Sequence, residues 1–255
     1  MCIIVVKQTP TITEQQWKQL HNCFDNNHEG VGMMWRNRKG KVVVSKGYME
    51  WQEFEDAVVK LHLEKVNPVV FHFRFATHGS ISPGNCHPFP ISRKIRDLQA
   101  LELKSDAAVV HNGILNVTIP QGSKLSDTQV FVRDVLSQTP DDILEHPAYQ
   151  LLLATTGSKF VFLMSRALYK VGEFFEDAGW LFSNNGYKRV YTYDVASCVL
   201  CQATTGVVWY EKWHCCVCKD CAQQFDLVTS PVAPTKHQPY YSVTDDEREE
   251  WLQTL

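Results

Sequence analysis

The chain has 255 residues, 44% of them hydrophobic and 21% charged, with a formal net charge of −3. That balance suits a globular chain able to bury one sizeable core and carry a small appendage, and it implies no general affinity for nucleic acid or anionic membranes, a local basic patch remaining open. No apolar run approaches the roughly 18 residues of a membrane span, and the start lacks the basic-then-apolar layout of a secretory signal.

In chain order, the sequence opens on MCIIVV, a cysteine followed by four β-branched residues that read as a buried strand. Trp17, Leu20, His21 and Phe24 keep helical spacing. VVVS follows as a strand, then a second helical stretch with Phe54, Ala57, Val58 and Leu61. VVFHFRF and AAVVH read as further strands, and Ser126-Asp127-Thr128 reads as the cap of a helix carrying Phe131 and Val135. FVFLM and YTYDV complete the set. Short strands between a few long helices predict an α+β fold of layered sheets with helical covers.

The nine cysteines divide the chain: Cys2, Cys23 and Cys86 are scattered, and the rest lie between Cys198 and Cys221. An odd number without a signal fits reduced thiols in a cytoplasmic protein better than a disulfide framework. Residues 226–241 hold Pro231, Pro234 and Pro239 with little apolar periodicity, the pattern of a linker. Three regions are expected: a catalytic-size body at 1–195, a cysteine-rich module at 196–225, and a linker with a short C-terminal helix at 226–255. Thr244 and Glu247 form a capping box for that helix, which is either a short element on its own body or a docking peptide.

Four stretches of the body concentrate special chemistry at strand ends: MC, HFRFATHGSISPGNCHPF, HNGIL and SDTQVF. Cys2 is either a small apolar strand residue or, once Met1 is removed, a nucleophile whose own α-amine serves as base. That amine titrates near about 8, so part of it is neutral at neutral pH. Asn112-Gly113 is either a turn or a pair of oxyanion donors, one a side-chain NH2 and one a backbone N–H. Arg74 alternates with Phe73 and Phe75 and suits either carboxylate capture or a buried ion pair. Asp127 either holds an ammonium group or caps its helix. Cys86-His87 is a rival nucleophile pair, although neighbours on a strand point to opposite faces.

Taken as a set, an N-terminal Cys, H-x-R-[WYF]-A-T-H-G, N-x-H-P, H-N-G and S-D-T-x resemble the glutaminase domain of class II glutamine amidotransferases. These are N-terminal-nucleophile hydrolases of the kind found in asparagine synthetase and glucosamine-phosphate synthase. NHEGVGMMW is more loosely similar to their early glycine loop. The resemblance spans residues 2 to about 131 and implies a four-layer αββα sandwich. It implies Cys2 as nucleophile, its freed amine as base, and Asn112 and Gly113 as the oxyanion hole. Arg74 would take the glutamine α-carboxylate, Asp127 the α-ammonium, and Thr77 and His78 would line the pocket. The implied products are glutamate and ammonia, formed through a thioester, with the ammonia passed to a separate synthase protein. Two features depart from the pattern: Ile3 stands where the family usually has glycine, and residues 90–106 intervene as a candidate lid or partner contact. Two other readings remain: a stand-alone amidase on another γ-glutamyl or amide substrate, and a non-catalytic scaffold working through its finger.

Cys198-Val-Leu-Cys201 and Cys218-Lys-Asp-Cys221 are C-x2-C pairs 16 residues apart, the spacing of a tetrahedral zinc site. Four thiolates close the coordination sphere, so the zinc would be structural. A hairpin turning near Thr205-Gly206 and a helix from CKDCAQQF would make a treble-clef-like module, with Cys215 as an alternative ligand. Lys212, Trp213, His214 and Lys219 are too few for a nucleic-acid surface, and a protein partner is at least as good a fit.

Overall fold

This computed structural model describes residues 2–76, 79–188, 198, 200–201, 203, 207–210 and 215–224. Two compact units are present, Met1–Val190 and Tyr191–Leu255. The first contains β1 (Ile3–Lys7), α1 (Glu14–Asn26), β2 (Val31–Arg36), β3 (Val42–Tyr48), α2 (Trp51–Lys60) and β4 (Val69–Phe73). It continues with β5 (Phe89–Pro90), α3 (Ile95–Gln99), β6 (Glu102–Ser105), β7 (Ala107–Asn112) and α4 (Asp127–Asp134). It ends with α5 (Asp141–Glu145), α6 (Pro147–Ala154), β8 (Lys159–Met164), β9 (Leu168–Val171), β10 (Phe175–Asp177) and β11 (Trp180–Phe182).

All of the strand pairs are antiparallel. A seven-stranded sheet runs β10-β11-β1-β4-β2-β3-β6, and a four-stranded sheet runs β5-β7-β8-β9. Alternation along the strands explains the layering. Ile3 and Val5 face one way, with Met33, Phe71 and Phe73, onto Leu20, Cys23 and Phe24 of α1 and Phe54 and Val58 of α2. Ile4 and Val6 face the other way, with Met34, Val44 and Val70, onto Ala108, Val110, Val161 and Leu163 of the smaller sheet. The far side of that sheet carries Val109, Phe160 and Phe162 against Val132, Leu144 and Leu153 of α4, α5 and α6. A strand buried on both faces must be a continuous apolar run, which is why IIVV has no polar alternation. Fully buried side chains such as Phe54, set edge-on to Phe71 and Phe73 at 5.6 Å, stabilise this core by about 1.5–3 kcal/mol each.

The expected strands at IIVV, VVVS, VVFHF, AAVVH and FVFLM are present, as are the helices around Leu20 and Phe54 and the one that follows Ser126. YTYDV and the C-terminal helix fall outside the described residues. Residues 90–106 are built into both sheets instead of lying over them as a lid. Pro90 pairs with Ala108 in the small sheet, Glu102–Ser105 pair with β3 at the edge of the large one, and Leu98 of α3 is buried between. Strand β2 interrupts what reads as a glycine loop. A Cβ at Gly32 would stand 2.0 Å from the His87 carbonyl oxygen, so glycine there reflects close backbone approach within a strand.

His72, His87 and His111 are buried together near the top of β4 and β7. The ring of His72 lies 4.1 Å from that of His87, and its Nε2–H donates to the His111 carbonyl at 3.0 Å. His72 Nδ1, His111 Nε2 and both nitrogens of His87 have no hydrogen-bond partner among the described residues. Loss of hydration holds the imidazoles neutral: His72 is pushed down to about 3, His111 to about 4, and His87 well below its ordinary value. In the unfolded chain each binds a proton near 6.5, so the unfolded state carries more protons between there and the folded values. Stability is therefore expected to fall as pH drops below about 6.5, at up to about 1.4 kcal/mol per pH unit for each histidine. Thermal melts from pH 7 to pH 4 check this, and His87→Phe should flatten the slope.

In the second unit, β12 (Val207–Tyr210) pairs with β13 (Cys215–Cys218), and α7 (Lys219–Gln224) follows directly. VVWY and CCVC are the pairing segments of this hairpin, and Thr205 and Gly206 lie outside the described residues. Among the described residues no helix is long and apolar enough to cross a membrane.

Candidate active site

Strand register delivers Cys2 to the site. Ile3 pairs with Phe73, so the residue before β1 meets the residues after β4. There the Phe75 N–H donates to Cys2 Sγ at 3.3 Å, and Sγ donates to the Phe75 carbonyl at 3.2 Å. Asn184, just past β11, donates through Nδ2 to the Cys2 carbonyl at 2.9 Å. The residue is half-buried, with its thiol held by the Phe75 backbone and its carbonyl by the Asn184 amide. Burial pushes its pKa up, the Phe75 N–H and the Arg74 charge oppose that, and Asp127 reinforces it. A thiol raised in this way needs a base to become a nucleophile.

Arg74 is buried, with Nη1 donating to the Ser80 carbonyl at 3.1 Å and its own N–H to Gly30 O at 2.9 Å. Glu29 beside it accepts from the Ala76 N–H. Thr77 and His78 lie outside the described residues.

Asn112 ends β7, where its partner across the ladder is Lys159. Gly113 follows at φ 149°, and a Cβ there would stand 2.3 Å from Ser158 Oγ. Glycine is required at this point both by conformation and by space. Asp127 opens α4 behind a capping box in which Ser126 and Gln129 exchange backbone hydrogen bonds. Its carboxylate accepts from the Leu115 N–H at 2.8 Å and from the Thr128 N–H at 2.7 Å. The helix cap itself is therefore Ser126, and Asp127 ties α4 to the loop that leaves Gly113.

Cys2 thus feels the charges of Arg74 and Asp127, and hydrogen bonds from Asn112 through Ser183 reach Ile4 beside it, while Asn184 holds its carbonyl; the sequence marked neither Ser183 nor Asn184. Ser183 and Asn184 follow a three-residue strand, and nothing in FSNN announces that they will reach β1. The rival pair does not form. Cys86 is fully buried, its Sγ points to the Glu29 and Ser82 carbonyls at 3.9 and 3.7 Å, and burial pushes it up to about 11. The His87 ring packs on His72 and Phe89, with no thiol–imidazole hydrogen bond among the described residues.

In the second unit, the Sγ atoms of Cys198, Cys201, Cys218 and Cys221 all lie within 4.8 Å of one another. Cys201 and Cys218 are 3.6 Å apart, and the Cys221 N–H donates to Cys218 Sγ at 3.4 Å. Sulfurs about 2.3 Å from a shared centre fit this spacing, so the cluster can hold a metal ion such as zinc. The side chains of Cys215 and Cys216 lie outside the described residues.

No family model matches the chain, and no curated protein matches it. Among solved structures it is similar to glutamine phosphoribosylpyrophosphate amidotransferase from B. subtilis, at 13% identity and a TM-score of 0.40. That match covers 71% of this chain and 41% of the other, so the chain spans about two fifths of that protein's length.

Proposed function

We propose that the first unit hydrolyses the side-chain amide of glutamine, using Cys2 as an N-terminal nucleophile on an αββα sandwich of the N-terminal-nucleophile hydrolase type. The observation that carries the reading is the surroundings of one thiol. Cys2 feels the positive charge of Arg74 and the negative charge of Asp127, and it is tied through β1 and Ser183 to Asn112. A free amino acid presents the complementary pair of charges beside its side-chain amide.

In this reading Arg74 takes the α-carboxylate and Asp127 the α-ammonium, fixing the amide carbon over Sγ. Thr77 and His78 line the same pocket. Removal of Met1 gives Cys2 a free amine, which accepts the thiol proton as sulfur attacks. The carbonyl oxygen gains charge and is met by the Asn112 NH2 and the Gly113 N–H, each donor worth about 3 kcal/mol of transition-state stabilisation. The amine returns its proton to the leaving nitrogen, and the carbon–nitrogen bond breaks to release ammonia for a separate acceptor. Water, deprotonated by the same amine, then cleaves the thioester to glutamate. Cys198, Cys201, Cys218 and Cys221 would hold zinc in a treble-clef-like module with a structural task, since four thiolates leave no open position.

The test is glutamate release from glutamine by protein whose Met1 loss has been verified by intact mass. Turnover is expected only from the processed form. A processed, correctly folded protein that leaves glutamine intact contradicts the reading.

A further inference from the structure

The clearest unmet demand near the proposed site belongs to Asn112. Its Oδ1 is buried with no hydrogen-bond partner, while Nδ2 of the same carboxamide is set 2.9 Å from Ser183 Oγ. Ser183 is fully buried at the end of β11. Its Oγ accepts the Ile4 N–H at 2.8 Å, its N–H donates to the Ile4 carbonyl at 2.9 Å, and its carbonyl accepts from Lys159 Nζ.

Hydrogen counting at Ser183 Oγ bears on the orientation of the amide. As set, two N–H groups address one hydroxyl oxygen whose own proton finds no acceptor in this group, and the carboxamide acceptor finds no donor. Turning the planar amide over exchanges oxygen and nitrogen, which are told apart only through such contacts. The Ser183 O–H then donates to Asn112 Oδ1, the Ile4 N–H keeps its acceptor, and the NH2 group takes the buried end that faces away from Ser183, where its donors are met only by a bound acceptor.

We infer that Ser183 is a positioning residue: its hydroxyl fixes the Asn112 carboxamide with NH2 presented to the developing oxyanion. The inference rests on the glutaminase reading. Ser183 contacts Ile4 on the large sheet and Asn112 on the small one, so it also sets the oxyanion donor against the strand carrying the nucleophile. A general turn residue has no such bridging geometry. Asn184 supports the same arrangement by holding the Cys2 carbonyl.

The test uses the full chain with Ser183→Ala and Ser183→Cys, both checked for folding by thermal melt. Ser183→Ala is expected to lower kcat by about 10–100-fold with KM for glutamine changed less than about twofold. An aldehyde analogue of glutamine, which forms a tetrahedral adduct with a thiol, should lose affinity by the same factor as kcat. Ser183→Cys, a weaker donor of similar shape, should fall between wild type and Ser183→Ala. Folded Ser183→Ala with kcat within about twofold of wild type overturns the inference, as does a loss confined to KM. A second arm needs no turnover. The Asn112 NH2 resonances, assigned by their disappearance in Asn112→Asp, should show no strong NOE to the Ile4 N–H in wild type. A strong NOE overturns the orientation. Silence of wild type toward glutamine would remove the glutaminase reading, while the NMR arm would still decide whether Ser183 orients the amide.

Discussion

Cys2→Ala is expected to abolish glutamine turnover, by at least about 10³-fold, with the melting temperature changed by only a few degrees. In the proposed reaction the thiol supplies the attacking atom, so its loss removes the nucleophile. Its hydrogen bonds are with the Phe75 backbone, so removing sulfur strands no buried charge. Cys2→Ser should be almost as inactive, because burial raises the proton affinity of this position and a hydroxyl holds its proton far more tightly than a thiol. Residues fused ahead of Cys2 should cost as much as losing the sulfur, since they convert the base into an amide. Cys86→Ala should keep turnover within a few-fold, its thiol being fully buried and pushed to about 11. Steady-state glutamate release across these variants checks all of the claims, and a Cys86 requirement would reassign the nucleophile.

The second large effect concerns the metal. One zinc per chain is expected by elemental analysis, and Cys198→Ser, Cys201→Ser, Cys218→Ser and Cys221→Ser should each reduce it several-fold or more. Binding of structural zinc supplies about 10–16 kcal/mol in small cysteine-rich modules, so its removal is expected to unfold the hairpin of β12 and β13. Hydrogen exchange over residues 207–224 in the presence of a strong chelator checks this. Unchanged protection without metal would show that the hairpin holds itself together.

What could be read in the sequence follows from range. IIVV, AAVVH and FVFLM announce buried strands because their own side chains meet apolar neighbours on both faces. The Ser126–Gln129 box lies within one turn, and C-x2-C pairs carry their spacing with them. Strand β2 was harder to read because Gly32, dictated by the distant His87 carbonyl, breaks its apolar pattern. Strands β9, β10 and β11 are short, β9 and β10 are also partly exposed, and residues 90–106 look like an insertion until their pairing with β3 and β7 is seen.

The site divides the same way. Cys2, Arg74, Asn112 and Asp127 have side chains whose chemistry is conspicuous in their own stretches, and Gly113 completes the Asn-Gly pair. Ser183 and Asn184 are common loop residues, and their importance comes only from a strand pairing that brings Phe182 beside Val5. Cys86-His87, adjacent in sequence, is separated in space because the thiol turns toward carbonyls and the imidazole toward His72.

The most direct measurement is acid-quenched mass spectrometry of processed protein caught during turnover of glutamine. Cys2 chemistry predicts a glutamyl adduct on the peptide that begins with Cys2, discharged by hydroxylamine and absent from Cys2→Ala. Turnover with no adduct at Cys2, or with the adduct on another residue, would contradict it.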